Sequence, residues 1–176
     1  MAHEAGRKSA PVKAWDAEFA EFAAASALRL RRTAFLLCHD WHYAEDLTQT
    51  ALAKTYVAWR RVRPTGNPEA YTRKILLHSF LDQQRRRSST ELVLPALPET
   101  GWQEHSDLRL TLLEALRGLP PRDRAIVVLR YWEDHSVETT ADLLDLSIAT
   151  VKQQSSRSLA RLRLLLQDEQ VVLFAD

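Results

Sequence analysis

The residues best suited to chemistry with DNA lie between Ser136 and Arg157. A small residue, Ala141, lets two helices cross closely, and Leu146 fills the turn between them. Val151 then faces the core from the second helix. This spacing is typical of a helix-turn-helix, in which the start of the second helix enters the major groove. The predicted groove-facing residues are Ala149, Thr150, Lys152, Gln153, Ser156 and Arg157.

These side chains offer both kinds of contact that DNA recognition uses. Lysine and glutamine reach base edges, whereas threonine and serine hydroxyls bind phosphate. Spacing alone also fits an ordinary helical hairpin with a solvated face, and that interpretation stays open at this point.

A second group of candidates lies in residues 60–88, where eight basic side chains stand against only Glu69 and Asp82. Trp59, Tyr71 and Phe80 are interspersed among them. Aromatic rings that stack on bases, together with cations that follow the backbone, suit single-stranded nucleic acid. The alternative places the aromatics in the core and leaves the cations as a solvated face. The basic residues are Arg60, Arg61, Arg63, Arg73, Lys74, Arg85, Arg86 and Arg87.

Residues for catalysis or metal binding are sparse. Cys38, His39 and His42 are close in sequence, but they have no clear fourth ligand, so we interpret them as a buried cysteine and two turn histidines. No Ser-His-Asp set or carboxylate pair stands out. The sequence therefore predicts no enzyme activity, no cofactor and no metal site.

The elements that position these candidates are predicted to be helices. Apolar residues recur at three- and four-residue spacing, and no strand-like alternation of useful length occurs. Asp40, Asn67, Ser136 and Ser147 are predicted N-caps, with Pro68 at the first position of its helix. Residues 63–68 are a predicted loop, and one helix is predicted over 122–132. The predicted fold class is all-α, with two small helical domains joined by a flexible linker.

The charge distribution limits what this chain does alone. Its 176 residues carry 24 basic and 23 acidic side chains, a formal net charge of +1. Because non-specific DNA affinity grows with the number of phosphates neutralised, this balance favours a DNA-binding protein that depends on a partner. No apolar run approaches the length of a membrane span, and the N-terminus has no signal core, so we expect a cytoplasmic protein.

Several ordered stretches resemble one known family. They are residues 40–52, 67–71, 119–125 and 129–134, together with the helix-turn-helix. Over residues 14–168 the chain resembles the sigma-70 family of RNA polymerase sigma factors, in the extracytoplasmic-function (ECF) type and its SigE-like subgroup. The family is a set of transcription initiation factors that recognise promoters.

The resemblance implies a domain order. It assigns 1–13 to a disordered extension, 14–88 to the region 2 domain, 89–105 to a linker, 106–168 to the region 4 helix-turn-helix domain and 169–176 to a tail. Region 2 would dock on the polymerase and recognise and melt the promoter −10 element. Region 4 would read the −35 element through the six groove-facing residues. 

Further roles follow from the same resemblance. Glu45, Asp46 and Gln49 would dock on the β′ clamp helices, where two carboxylates on an apolar face make a charge-specific contact. Region 4 would meet the β flap. The −10 contacts would come from the basic residues 60–86 named above together with Asn67, Tyr71 and His78. Leu77 and His78 stand where the family often has a basic residue and commonly an asparagine.

Partners and alternatives complete the prediction. The implied partners are core RNA polymerase, promoter DNA and an anti-sigma factor, which is common in this family, and no membrane. One alternative is a helix-turn-helix regulator that binds its operator directly as a dimer. Another is a helical adaptor that binds only proteins. Transcription with core polymerase separates the three.

Overall fold

A computed structural model of the protein describes residues 14–89 and 107–173. In these two ranges every regular element is helical, which confirms the predicted fold class. None of the helices described there combines the length and apolarity that crossing a bilayer requires. The elements are α1 (Ala14–Cys38), α2 (Trp41–Val62), a 3-10 turn (Arg63–Thr65), α3 (Pro68–Ser89), α4 (Asp107–Arg117), α5 (Pro121–Val127), a π-helical turn (Val128–Trp132), α6 (Val137–Leu144) and α7 (Ile148–Leu173).

The first three helices form one bundle, which we call the N-terminal unit. Its core contains Leu30 and Leu37 from α1, Leu47 from α2, and Leu76 and Phe80 from α3, each at most 3% exposed. Burying such a side chain contributes about 1.5–3 kcal/mol. This core fixes the rotation of α3 about its axis and so decides which of its side chains can meet DNA.

Aromatic rings close the outer end of the same bundle. The rings of Phe19 and Phe22 in α1 lie 5.2 and 5.1 Å from Trp59 in α2, and Phe19 lies 5.0 Å from Tyr56. Edge-to-face and tilted pairs at such distances are favourable beyond their buried area. Trp59 is consequently 3% exposed and belongs to the core.

The four predicted N-caps are confirmed. The side-chain oxygens of Asp40, Asn67, Ser136 and Ser147 each accept a hydrogen bond of 3.0 Å from the backbone N–H three residues further on. Each bond satisfies one of the helix's orphan donors, and losing it typically costs about 1 kcal/mol. Local sequence therefore fixes where α2, α3, α6 and α7 begin.

The connection from α2 to α3 is short, as predicted. It contains the 3-10 turn and then Gly66, whose φ of +73° lies in the left-handed region. A side chain at Gly66 would be strained in this conformation although nothing crowds the position. The turn thus brings Asn67 into position to cap α3.

Helices α4 to α7 form the C-terminal unit, which contains the predicted helix-turn-helix. Ala141, Leu144 and Val151 are at most 5% exposed, and Leu146 packs against the core in a half-buried position. Asp145 makes the turn in the left-handed conformation, with φ 52°. The α6–turn–α7 geometry is the one that the spacing indicates.

One predicted helix differs from the structure. Instead of a single α-helix over 122–132, α5 ends at Val127 and a π-helical turn follows. The N–H of Glu133 donates to the carbonyl of Val128 at 3.0 Å, a bond that spans one residue more than an α-helical bond. The wider turn leaves Trp132 62% exposed and places Glu133 against the N-terminal unit.

Arg124 joins the two units. Its buried guanidinium donates to the carbonyl of Leu37 at the end of α1, at 2.5 Å, and to the carbonyls of Leu116 and Arg117 at the end of α4 and of Leu119 just after it, at 2.9–3.1 Å. A cation at the C-terminal ends of two helices satisfies carbonyls that have no partner within their own helix. Burial lowers the pKa of Arg124 to about 10, so it stays charged at neutral pH.

The predicted extension over 1–13 lies outside the described residues, as does the predicted linker over 89–105 apart from its first residue. The predicted tail begins at 169, and α7 continues through it to Leu173.

Candidate nucleic-acid interface

Three candidate arginines lie where α2 ends. Arg60, Arg61 and Arg63 are exposed. Arg61 donates a long hydrogen bond of 3.4 Å to the hydroxyl of Tyr71, and Arg63 pairs with Glu18 at 2.8 Å. Exposed ion pairs contribute little to stability, so these guanidinium groups can exchange a protein partner for phosphate at small cost.

The aromatic candidates separate into two classes. Tyr71 is half-buried at the start of α3 and keeps part of its ring on the surface, beside the exposed Asn67. Trp59 and Phe80 are 3% and 0% exposed. A role in base stacking is therefore wrong for Trp59 and Phe80, which the structure assigns to the core, whereas it stays a prediction for Tyr71.

The middle of α3 carries Arg73, Lys74 and His78, a set that we call the α3 cation face. Lys74 and His78 are half-buried, and the side chain of Arg73 is only 8% exposed. All three contact the C-terminal unit. These three side chains, which are predicted to contact −10 DNA, are therefore already in contact with the C-terminal unit in this conformation.

The end of α3 is more open. Arg85 is exposed and pairs with Asp82 at 2.5 Å, and Arg86 is also exposed. Arg86, Arg87 and Lys54 line a groove of about 580 Å³ between α2 and α3, against a single acid there, Asp82. The groove therefore has a basic border.

Leu77 belongs to the core, unlike its neighbour His78. Leu77 is 0% exposed in the core of the N-terminal unit, so a basic residue there would be desolvated without a partner. Its neighbour His78 instead points toward the C-terminal unit, with Nε2 3.1 Å from the carbonyl oxygen of Leu143.

The start of α7 carries the second candidate set. Thr150, Lys152, Gln153, Ser156 and Arg157 form what we call the α7 groove face, and Ala149 lies exposed beside them. Lys152, Gln153, Ser156 and Arg157 are exposed, whereas Thr150 is half-buried and its hydroxyl lies 2.7 Å from that of Ser147. Among the described residues, neither Lys152 nor Arg157 forms an ion pair. Most of this face is therefore open to solvent.

The predicted polymerase contacts lie on α2. Asp46 and Gln49 are exposed, and Glu45 is half-buried, pairing with Arg31 at 3.3 Å and accepting a hydrogen bond from Gln49. Val57 was not anticipated from the sequence, yet it is 87% exposed on the same side of the helix. Its spacing from Asp46 and Gln49 is the signal that could have identified it.

Two acidic residues of the C-terminal unit also escaped sequence analysis. Glu133 and Asp145 meet the α3 cation face, and the hydrogen bond from Lys74 holds the pKa of Asp145 below its usual value. They are separated by 60 residues or more from their partners, and no periodic pattern marks such a pair. Their role emerges only once the two units are seen packed together.

The cysteine and its neighbouring histidine are half-buried and neutral. Burial raises the pKa of the Cys38 thiol to about 11, and burial with Arg124 and Arg117 nearby lowers the pKa of His39 to about 3. The described residues hold no group of three or more histidine, cysteine or carboxylate side chains arranged for a metal.

Comparison with protein families places both units in one lineage. The model of "Sigma-70 region 2" matches residues 23–90, and that of "Sigma-70, region 4" matches residues 109–162. The RNA polymerase sigma-E factor of Streptomyces coelicolor is 38% identical over 150 residues, covering 83% of this chain and 84% of the relative. The ECF RNA polymerase sigma factor SigE of Mycolicibacterium smegmatis is 32% identical over 166 residues, covering 88% and 62%.

Solved structures agree with this relationship. The sigma factor RpoE of Bartonella quintana, in complex with the anti-sigma factor NepR, is 26% identical with a TM-score of 0.72, covering 85% of this chain and 97% of that one. CnrH in complex with the cytosolic domain of CnrY, at 20% identity and a TM-score of 0.65, shares the fold over 85% of this chain and 88% of that one.

Proposed function

The chain belongs to the sigma-70 family of RNA polymerase sigma factors, in the SigE-like subgroup of its ECF type, and on that premise we propose how its two units divide the work. As a sigma factor it binds core polymerase and directs transcription initiation from specific promoters. The proposal assigns residues 14–88 to −10 recognition, melting and polymerase docking, 106–168 to −35 recognition, and 89–105 to the linker.

The −35 assignment is supported by the α7 groove face. Its exposed lysine and glutamine can reach base edges, and its hydroxyls and arginine can bind phosphate. Ser147 caps α7 and fixes its first turn, so these side chains emerge from a rigid helix end. We assign −35 contacts to Ala149, Thr150, Lys152, Gln153, Ser156 and Arg157.

The −10 assignment rests on the cations around the α2–α3 connection and on Tyr71, the one half-buried aromatic among the three considered. A melted base stacked on a ring gains about 1–3 kcal/mol, and arginines follow the single-stranded backbone. We assign −10 contacts to Arg60, Arg61, Arg63, Asn67, Tyr71, Arg73, Lys74, His78, Arg85 and Arg86.

Polymerase docking is assigned to Glu45, Asp46 and Gln49, against the β′ clamp helices. Asp46 and Gln49 are exposed and share their side of α2 with the exposed Val57, so a charged and an apolar contact can form together. The C-terminal unit meets the β flap in this proposal. 

The energy of promoter opening explains why the polymerase is needed. Separating about ten base pairs costs on the order of 14 kcal/mol. Stacking two captured bases returns about 2–6 kcal/mol. The chain, with a net charge of +1, therefore supplies recognition while polymerase contacts supply the remaining energy.

Three further features belong to the proposal. An anti-sigma factor is a partner class supported by the complex of RpoE with NepR. The chain works in the cytoplasm, where the polymerase is. It has no catalytic activity of its own, since RNA synthesis belongs to the polymerase.

The observation that best supports the proposal is the exposure of the α7 groove face. The same chain also carries the cations around the α2–α3 connection. The test of the proposal is transcription in vitro from a pool of genomic DNA fragments, with core polymerase and with or without this chain. We expect specific transcripts only when the chain is present. A gel shift by the chain alone, unchanged by core polymerase, would instead support a directly binding regulator, and salt-insensitive binding to proteins only would support an adaptor.

A further inference from the structure

A pocket of about 420 Å³ lies beside the α2–α3 connection and borders the start of α1. This volume is within the range of small-molecule pockets. All of its lining residues belong to the N-terminal unit, and none of them is on α3. The pocket, which we call the Trp15 pocket, is therefore separate from the α3 cation face and from Tyr71. It is lined by Trp15, Trp59, Arg60, Arg63 and Pro64.

Aromatic rings form the inner part of the Trp15 pocket. Trp59 is 3% exposed, and the rings of Phe19 and Phe22 hold it in the core at 5.2 and 5.1 Å. Trp15 is half-buried in the first turn of α1, and its ring lies 5.4 Å from that of Tyr56. Because Trp59 is packed in the core, Trp15 is the ring that can offer a face to a planar ligand.

The buried indole of Trp59 adds a hydrogen-bond donor to the pocket. Its Nε1 is buried and meets no acceptor among the residues that the structure describes. Leaving a buried donor unpaired is costly, so a ligand that brings an acceptor to Nε1 is stabilised. An indole N–H only donates, and it therefore favours a ligand with a carbonyl oxygen or an unprotonated ring nitrogen.

The rim of the Trp15 pocket is cationic. Arg60 and Arg63 are exposed and three residues apart, so they lie on one side of the chain where α2 ends. Arg63 pairs with Glu18 at 2.8 Å, whereas Arg60 forms no ion pair within the described ranges. Arg61, between them in sequence, instead lies 3.4 Å from the hydroxyl of Tyr71. Neighbouring arginines thus serve two separate aromatic sites at the same connection.

We propose that the Trp15 pocket holds one unpaired nucleobase of the promoter, as a second base site beside the one assigned to Tyr71. The base stacks on Trp15, and its acceptor takes up Nε1 of Trp59 as the surrounding side chains adjust. Arg60 and Arg63 bind the flanking phosphates. Every base offers both a ring face and an acceptor, so the site fits a single strand that follows the arginines. This inference rests on the proposed function, since it takes the α2–α3 connection as a −10 contact.

Two DNA probes of equal charge test the pocket. One is a labelled strand of about 15 thymidines, and the other is the same strand with an abasic residue at every position. Because their phosphates are identical, only contacts to bases distinguish them. We expect Trp15→Leu to weaken binding of the free chain to the thymidine strand about fivefold and to leave binding to the abasic strand within about twofold. Arg60→Gln should weaken binding to both strands equally, since it removes a phosphate contact.

The matched control is Trp41→Leu. Trp41 is also a half-buried tryptophan in the first turn of its helix, where it stacks on Phe35, but it lies roughly 27 Å along α2 from Trp59. Its replacement should leave binding to both strands within about twofold. A ratio between the two strands that is unchanged in Trp15→Leu would overturn the proposal, as would an equal change in Trp41→Leu.

A double variant tests whether the two base sites are separate. The losses of Trp15→Leu and Tyr71→Leu should multiply in Trp15→Leu/Tyr71→Leu, because independent sites contribute additive free energies. A double variant that binds the thymidine strand no more weakly than Tyr71→Leu alone would show a single base site and refute the second one.

A photochemical cross-link examines the natural chain and so does not depend on how a variant folds. Thymidine strands that carry 5-iodouracil at single positions are irradiated with the free chain and with holoenzyme, and the adducts are mapped by mass spectrometry. We expect an adduct on Trp15 in both samples and none on Trp41. Adducts on Tyr71 without any on Trp15 would overturn the proposal. Failure of the proposed function appears differently, as an adduct on Trp15 in a chain that supports no specific transcript with core polymerase.

Discussion

The two candidate DNA faces differ in what surrounds their cations. Arg73 and Lys74 on α3 meet carboxylates of the opposite unit at 2.8 and 2.5 Å. Lys152 and Arg157 on α7 are exposed and form no ion pair within the described residues. Both sets are similar in sequence, since each is a cluster of basic residues on a helix. A basic cluster in the sequence therefore does not show whether its cations are open to solvent or already paired with acids.

The difference follows from how the two units are built. The N-terminal unit uses long helices, with 25 residues in α1 and 22 in α3, and so has an extended side to cover. The C-terminal unit combines the 26-residue α7 with two short helices, α5 of 7 residues and α6 of 8, and the ends of the short helices expose carbonyls and turn residues. Those ends are what meet the α3 cation face, whereas the start of α7 lies beyond the contact.

Arg124→Met should have the largest effect, because Arg124 holds both units together. Four carbonyls lose a donor, although that of Leu116 keeps the N–H of Leu119, and each one left buried and unpaired costs about 1–3 kcal/mol before water reaches it. We expect the free energy of unfolding in urea to fall by about 3 kcal/mol. Arg122→Met, at an exposed position two residues away, is the control and should change it by less than about 0.5 kcal/mol. Equal effects would contradict the role of Arg124.

Asp46→Arg separates the acids that we assign to polymerase docking from the acids that contact α3. Reversing an exposed charge in a charge-specific contact should weaken binding to core polymerase by about 2 kcal/mol, roughly thirtyfold, and leave single-stranded DNA binding unchanged. Fluorescence anisotropy with core polymerase measures it. Glu21→Arg makes the same charge change at an exposed position of α1 and should bind normally. Normal holoenzyme assembly by Asp46→Arg would contradict the docking assignment.

Local chemistry was predictable from the sequence. The caps at Asp40, Asn67, Ser136 and Ser147 depend on a side chain and a backbone N–H three residues away, so short patterns contain them. The helix-turn-helix is similarly local. The predicted site positions on α7 follow from helix periodicity once its start is known.

Longer-range features were not predictable in the same way. The pairs Arg73–Glu133 and Lys74–Asp145 depend on how two units pack, and no spacing rule reaches across that distance in sequence. The role of Trp59 could not be predicted from the sequence either. Its position next to arginines in the sequence fits both a ring that stacks on bases and a ring buried in the core. The rings of Phe19 and Phe22 decide for the core.

Lys152→Ala sharpens the comparison at the open face. Losing one base or phosphate contact should cost about 1.4 kcal/mol, roughly tenfold, in binding to −35 DNA, and binding to core polymerase should be unchanged. The effect should be equal in the free chain and in holoenzyme. Arg163→Ala, exposed later on α7, is the control for lost charge.

Substitution of His39 should give the smallest effect. It tests the junction between α1 and α2 near Arg124. His39 adopts φ 57° between α1 and α2, and burial with Arg124 and Arg117 nearby lowers its pKa to about 3. The folded chain therefore leaves His39 neutral while the unfolded chain protonates it below pH 6.5, so stability falls as the pH drops through that value. His39→Asn keeps a residue type that tolerates positive φ and removes the titration. Between pH 7.5 and 5.8 the parent chain should lose about 1 kcal/mol more of its free energy of unfolding than the variant does, as urea titrations at each pH would measure. All other titrating groups are common to both chains, so parallel losses would mean that His39 binds its proton in the folded state and that the junction with Arg124 is open to water.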